Sequence, residues 1–246
     1  MKTNPFMRQL IAAVSYLTCF FPGARREEAP AFSLAYFPVV GLLLGCLLWL
    51  GAYLLDATLY PAINALSLLV ILTICTRGLG LDGLASLLDS LSKGGTAKEM
   101  AKALRARQRG TFGVIGIALA LLIKYLLMGQ LIEEGAFPSL LLFPTLGRWS
   151  MVCLVWFFPD LQEKAFVDHP QRRDLWWAAG ITLVCSLLTQ GLAGLGIMVL
   201  VWITSYGLGL YCIKRIGNIT TQVMAAVVEL VELLSLAACV ALLNSP

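Results

Sequence analysis

Charged residues are scarce in this chain. Asp, Glu, Lys and Arg make up 13 % of its 246 residues, and apolar residues make up 59 %, whereas a typical soluble domain has roughly 25 % charged and about 45–50 % apolar residues. Runs of about 18 or more apolar residues are typical of transmembrane helices, because lipid offers the backbone no hydrogen-bond partner outside its own helix. The composition therefore excludes a soluble protein and predicts an all-α, polytopic membrane bundle.

The usual signs of several other protein classes are also missing. The formal net charge is only +4 and no basic face is interleaved with aromatic residues, so we do not expect nucleic acid as a partner. The seven cysteines form no CxxC pair, which disfavours a disulfide framework or a zinc site. No Walker loop, dinucleotide-binding fingerprint or Ser/His/Asp set is present.

Polar interruptions divide the chain into seven or eight predicted membrane segments within one domain, residues 1–246. Residues 5–22 are apolar but short, and they fit a span, a re-entrant segment or an interfacial helix. Polar loops are expected near residues 82–110, 159–174 and 214–222. The clear segments are 31–55, 61–79, 112–132, 137–158, 175–188, 192–213 and 223–243.

Positive charge is confined to alternate connections between these segments. The intervening turns contain Asp56, Glu133 and Glu134 but no Lys or Arg. Cytoplasmic loops carry the excess of Lys and Arg in membrane proteins, so we predict that the basic loops face the cytoplasm. Their residues are Arg25, Arg26, Lys93, Lys98, Lys102, Arg105, Arg107, Arg109, Lys164, Arg172, Arg173, Lys214 and Arg215.

Two carboxylates follow the segment 61–79. Asp82, Ser86 and Asp89 are spaced i, i+4, i+7, so they share one face of a helix. Carboxylate oxygens at a membrane boundary are ligands that Mg²⁺ prefers, together with water and substrate phosphates. An ordinary interfacial helix, with Asp82 as its N-cap and Asp89 facing water, is the competing interpretation.

Glu229 and Glu232 interrupt the last apolar segment. An acidic residue at depth in the bilayer costs roughly 2–4 kcal/mol, and two ionised neighbours repel, so both stay charged only beside a cation or a basic group. We favour a functional role for them. The alternative is that both lie close enough to the end of the segment to reach water.

Basic residues are the natural partners of these carboxylates. Arg148 lies in an apolar segment and could pair with the glutamates or bind phosphate. Lys124 could do the same or extend its amine to the membrane surface. Arg105, Arg107 and Arg109 precede Gly110-Thr-Phe-Gly and either cradle a diphosphate or only anchor the next segment.

Several of these pieces resemble the cobalamin synthase family, adenosylcobinamide-GDP ribazoletransferase. Leu81-Asp-Gly-Leu-Ala with Asp89 is similar to the family's His-Leu-Asp-Gly-Leu-Ala-Asp-x-x-Asp-Gly. Gly110-Thr-Phe-Gly is similar to its Gly-Thr-x-Gly, and Gly147-Arg148 to its Gly-Arg. Phe37-Pro-Val-Val-Gly and Glu229-Leu-Val-Glu resemble an early and a closing motif. The departures are Gly80 in place of His, Ser86 and Gln222 in place of Asp, Ser90 in place of Gly, and Ala106 in place of an acidic residue.

The resemblance implies an enzyme that joins α-ribazole, or its 5′-phosphate, to adenosylcobinamide-GDP with release of GMP. It implies a bacterial inner-membrane protein with corrinoid-nucleotide and ribazole substrates, and other cobalamin-assembly enzymes as potential partners. We expect Mg²⁺ as cofactor, bound by Asp82 and Asp89. Because acidic positions are missing, a catalytically degenerate scaffold or corrinoid-binding protein is an alternative, and a transporter is a third. The expected catalytic residues are Asp82, Asp89, Glu229 and Glu232, and the expected substrate-binding residues are Arg105, Arg107, Arg109, Arg148 and Lys124.

Overall fold

The computed structural model describes residues 5–20, 34–105, 110–159 and 172–244. Most of the chain in these ranges is helical and none of it forms a β-strand, which confirms the predicted all-α class. A 3-10 turn, Leu34–Tyr36, precedes the second helix. The helices are α1 Pro5–Leu17, α2 Phe37–Asp56, α3 Pro61–Thr76, α4 Leu79–Lys93, α5 Ala97–Leu104, α6 Thr111–Glu133, α7 Ser139–Phe157, α8 Arg172–Ile216 and α9 Thr221–Leu243.

Membrane-spanning helices dominate the described part of the chain. Five stretches are long and apolar enough to cross a bilayer, namely α2 with its preceding turn, α6, α7, α8 and α9. The number rises to six if α3 and α4 form one broken span. The 13 residues of α1 extend only about 20 Å, too short for a hydrocarbon core of about 30 Å. The predicted count of seven or eight segments stays a prediction.

The longest helix, α8, turns back on itself. Gly191 has non-helical backbone angles, φ 56° and ψ −139°. A Cβ atom at Gly194 would lie 2.7 Å from the carbonyl carbon of Ser186, although residues eight apart in a straight helix are separated by about 12 Å. The chain therefore reverses at Gly191, and its two arms lie where segments 175–188 and 192–213 were predicted.

A sharp break separates α3 from α4. The two axes differ by 81°, because Arg77 and Gly78 both adopt left-handed backbone angles, φ 55° and 61°. Among the described residues Arg77 is the one non-glycine with positive φ. This break places the start of α4 against α9, with Leu79 to Leu81 half-buried and Asp82 exposed.

The predicted polar loop near residues 82–110 is largely helical. Within it, α4 buries one face that includes Leu84, Ala85 and Leu87, and α5 begins with a capping box between Thr96 and Glu99. The loop prediction rested on the polar residues of this stretch, whereas the apolar face of α4 packs against α6 and α9.

The centre of the bundle is α7, which is buried from Ser139 to Val155. Gly41 and Gly45 of α2 sit directly on its backbone: a Cβ atom at Gly45 would lie 2.6 Å from the carbonyl oxygen of Leu141, and one at Gly41 would lie 2.7 Å from the Cα of Thr145. Small residues at this spacing let membrane helices approach closely. The close packing leaves Arg148 of α7 in the interior.

Candidate functional site

Four charged side chains meet in the interior of the bundle. They are Lys124 of α6, Arg148 of α7, and Glu229 and Glu232 of α9, and each is 3–4 % exposed. The Lys124 amine lies 2.6 Å from Oε1 of Glu229 and 2.7 Å from Oε2 of Glu232. Arg148 donates from Nη1 to Oε1 of Glu232. We refer to these four residues as the charged cluster.

Local sequence explains why the cluster forms. Glu229 and Glu232 are spaced i, i+3 and therefore share one face of α9. Gly147 precedes Arg148, and a Cβ atom there would lie 2.8 Å from Cγ of Glu232. The absence of a side chain at Gly147 thus lets Glu232 reach Arg148. Lys124 approaches from α6 and closes the cluster.

The cluster is formally neutral, with two cations and two anions. Opposite charges held at this distance offset part of the large cost of removing each ion from water. Removing one partner of such a buried pair typically costs about 3–5 kcal/mol, since the other charge is left uncompensated. The expectation that both glutamates need basic partners is met by Lys124 and Arg148.

A cavity opens beside the cluster at the break between α3 and α4. All four charged residues line it, and Thr73 and Thr76 of α3 contribute hydroxyl groups. These hydroxyls donate back to the carbonyl oxygens of Leu69 and Leu72. The remaining lining residues are Leu17, Leu69, Leu72, Gly78, Leu79, Gly80, Leu81, Leu121, Met151, Ala225 and Val228.

Unused hydrogen-bond donors face this cavity. Arg148 bonds only through Nη1, to Glu232 and weakly to the carbonyl oxygen of Pro144, so Nε and Nη2 have no acceptor within the described ranges. Helix α4 begins without a side-chain cap, and the amides of its first residues, Leu79 to Leu81, have no acceptor there either. A guanidinium and a helix N-terminus are both suited to anionic oxygens.

Asp89 of α4 does not line this cavity, and its carboxylate lies against the start of α6. Its Oδ2 accepts a hydrogen bond from the amide of Gly110 at 2.6 Å, and its Oδ1 accepts one from Gly113 at 2.7 Å. A Cβ atom at Gly110 would lie 2.6 Å from Oδ1, and one at Gly113 would overlap the carboxylate. Asp89 therefore caps α6 from a distant helix, and the glycines of Gly-Thr-Phe-Gly make room for it.

The expected magnesium site does not fit this geometry. Asp82 and Asp89 both lie on α4, seven residues apart, which places them about 10 Å apart along the helix axis. Mg²⁺ holds its oxygen ligands at about 2.0–2.1 Å, so one ion cannot bind both carboxylates. Neither residue lines the cavity of the charged cluster. The described residues contain no group of three His, Cys, Asp or Glu side chains placed to hold a metal.

The expected phosphate-binding residues are separated in the same way. Arg148 and Lys124 are in the cluster, whereas Arg105 is an exposed residue at the end of α5 and does not line the cavity. Arg107 and Arg109 lie outside the described residues. Neither the position of Gly80 beside Glu229 nor the capping role of Asp89 was predicted from the sequence. The sequence signal for that cap was the pair of glycines in Gly110-Thr-Phe-Gly113, where α6 begins.

The chain is similar to known proteins of one family. The sequence model of the cobalamin-5-phosphate synthase family matches residues 9–240. A protein of Syntrophobacter fumaroxidans named adenosylcobinamide-GDP ribazoletransferase is 34 % identical, over 92 % of this chain and 96 % of its own length. Proteins with that name from Pseudomonas putida and Herpetosiphon aurantiacus are 32 % and 33 % identical, over 89 % and 97 % of this chain and 92 % and 98 % of their own lengths. No solved structure matches the chain.

Proposed function

The chain belongs to the cobalamin-5-phosphate synthase family, and from that membership we propose that it is an adenosylcobinamide-GDP ribazoletransferase. It would join α-ribazole, or its 5′-phosphate, to adenosylcobinamide-GDP and release GMP. The relatives that carry this name match it over nearly their whole length. A degenerate scaffold and a transporter are not favoured.

The observation that carries the proposal is the charged cluster with its cavity. Ionisable residues inside a membrane are expensive to keep and typically serve function. Here they surround an opening that also presents unused donors of Arg148 and of the α4 start. A purely structural cluster would need no such opening.

These donors are suited to the diphosphate of adenosylcobinamide-GDP. Phosphoryl transfer depends largely on positioning and on stabilising charge around the transferred phosphorus. Nε and Nη2 of Arg148 would bind phosphate oxygens while Nη1 stays on Glu232. The amides at the start of α4 would bind further oxygens. One carboxylate of the cluster would accept the proton of the attacking ribazole hydroxyl.

No step of this mechanism is assigned to Mg²⁺. Asp82 and Asp89 cannot share an ion, and Asp89 is engaged with the amides of α6. The phosphate oxygens are instead bound by the unused donors of Arg148 and by the backbone amides at the start of α4.

The orientation and the partners are also proposals. The distribution of Lys and Arg supports basic loops that face the cytoplasm of a bacterial inner membrane, and labelling of single-cysteine variants from each side tests it. Association with other enzymes of cobalamin assembly stays a hypothesis, and co-purification from membranes tests that.

Complementation in cells tests the proposed function. In a bacterium that lacks its own ribazoletransferase and is supplied with cobinamide and ribazole, the wild-type chain should restore cobalamin-dependent growth. Arg148→Gln should abolish growth, since loss of one preorganised donor typically lowers rate by about 100-fold or more. Arg215→Gln, an exposed residue at the end of α8, is the matched control. Failure of the wild-type chain, despite its accumulation in the membrane, would favour the degenerate alternative.

A further inference from the structure

The four carboxylate oxygens of the charged cluster are not equivalent. Both oxygens of Glu232 are paired: Oε1 accepts from Arg148, and Oε2 accepts a directed hydrogen bond from Lys124. Glu229 has only the ion pair between Oε1 and Lys124. Its Oε2 accepts no hydrogen bond from the residues that the structure describes.

The unpaired Oε2 of Glu229 faces a gap at Gly80. A Cβ atom at Gly80 would lie 2.5 Å from Oε2 and 3.5 Å from Cδ of Glu229, so an alanine there would displace the carboxylate. Gly80 is in the first turn of α4, beside the unused amides. Glu229 and Gly80 both line the cavity. A substrate group that enters this gap would meet Oε2 first.

We infer that Glu229 is the general base of the reaction and that Glu232 is a positioning residue. This inference rests on the proposed function. As the ribazole hydroxyl oxygen forms its bond to the phosphorus carried by cobinamide, the hydroxyl proton moves to Oε2 of Glu229. The bond from that phosphorus to the bridging oxygen breaks, and GMP leaves with the oxygen and its electron pair.

The surrounding charges suit this division of roles. Lys124 pairs with Oε1 of Glu229 and leaves Oε2 available to accept a proton. Protonation of Glu232 would instead break contacts to both Lys124 and Arg148. The titratable and charged groups around Glu229 are Lys124 from α6, Arg148 from α7 and Glu232 from α9. The cavity residues of α1, α3 and α4 are Leu, Thr and Gly.

The pH dependence of turnover separates the two glutamates. In lipid nanodiscs, wild-type kcat should fall toward acid pH as Glu229 becomes protonated. Glu229→Gln should lower kcat by about 100-fold or more, abolish the acidic limb and change KM for adenosylcobinamide-GDP by less than about threefold. Glu232→Gln should raise that KM and keep the acidic limb. Wild-type-like kcat or a retained acidic limb in Glu229→Gln would overturn the inference.

A second variant tests the base without removing a charge, and it decides the question if Glu229→Gln does not accumulate. Gly80→Ala should lower kcat by about 10- to 100-fold, since a small displacement of a catalytic group is costly. Gly196→Ala is the control, because a Cβ atom there meets nothing within 4 Å. Equal activity of the two alanine variants would contradict the role of Oε2 of Glu229 as the base. Absence of GMP release from the wild-type protein would instead refute the proposed function, and the inference with it.

Discussion

Lys124 contacts both glutamates of α9 and is therefore the residue on which the neutrality of the charged cluster depends. Lys124→Met keeps most of the length of the side chain but removes its charge. We expect a loss of about 3–5 kcal/mol in stability, because two carboxylates are left with a single cation. Thermal unfolding in detergent measures this loss. Lys214→Met, at an exposed position, should have no measurable effect, and equal stability of the two variants would contradict the account.

Asp89 gives a second residue-scale prediction. Asp89→Asn retains the shape, but only one oxygen remains to accept from the amides of Gly110 and Gly113, so we expect destabilisation by about 1–3 kcal/mol. Gly113→Ala should destabilise as well, because its Cβ would overlap the carboxylate. Both variants should show an unchanged response of activity to added Mg²⁺. A weakened metal response confined to Asp89→Asn would restore the metal-ligand role of Asp89.

At the residue scale, the sequence predicted which charged residues matter better than it predicted where they lie in the fold. Lys124, Arg148, Glu229 and Glu232 stand out because charge is rare in apolar segments, and their pairing follows from electrostatics. The supposed convergence of Asp82 and Asp89 rested on a shared helix face and ignored the axial separation of two turns. Gly80 could not be found in this way, since its partner Glu229 is distant in sequence.

Among the elements, the contact between α2 and α7 has the clearest sequence signature. Gly41 and Gly45 place α2 on the backbone of α7, and α7 carries Arg148. Gly45→Leu should force the helices apart and destabilise the bundle by at least about 1–3 kcal/mol, with a loss of activity through Arg148. Thermal unfolding and turnover together measure the effect. Gly196→Leu, in open space on α8, is the control; equal behaviour would show that this packing is not needed.

Element boundaries were predictable where apolar runs end abruptly. The predicted segments 112–132 and 223–243 differ by one or two residues at their ends from α6 and α9. The α3–α4 break was not predicted, because it depends on left-handed angles at Arg77 and Gly78. The sequence indicated a helix from Asp82 to Asp89, which α4 contains, but polar residues placed it within a loop predicted near residues 82–110.

For the whole molecule, the composition alone excluded a soluble fold, whereas the arrangement of the helices required the structure. The packing of α7 at the centre, the reversal at Gly191 and the break before α4 place one neutral group of charges beside one cavity. The family and this geometry together support phosphoryl transfer at the cluster.

The stoichiometry of products tests this account most directly. The purified chain in lipid vesicles, given adenosylcobinamide-GDP and α-ribazole, should release one GMP for each cobalamin formed and release none when ribazole is omitted. GMP and the corrinoid product are quantified in the same sample by chromatography. Corrinoid binding without GMP release, or GMP release that does not need ribazole, would contradict it.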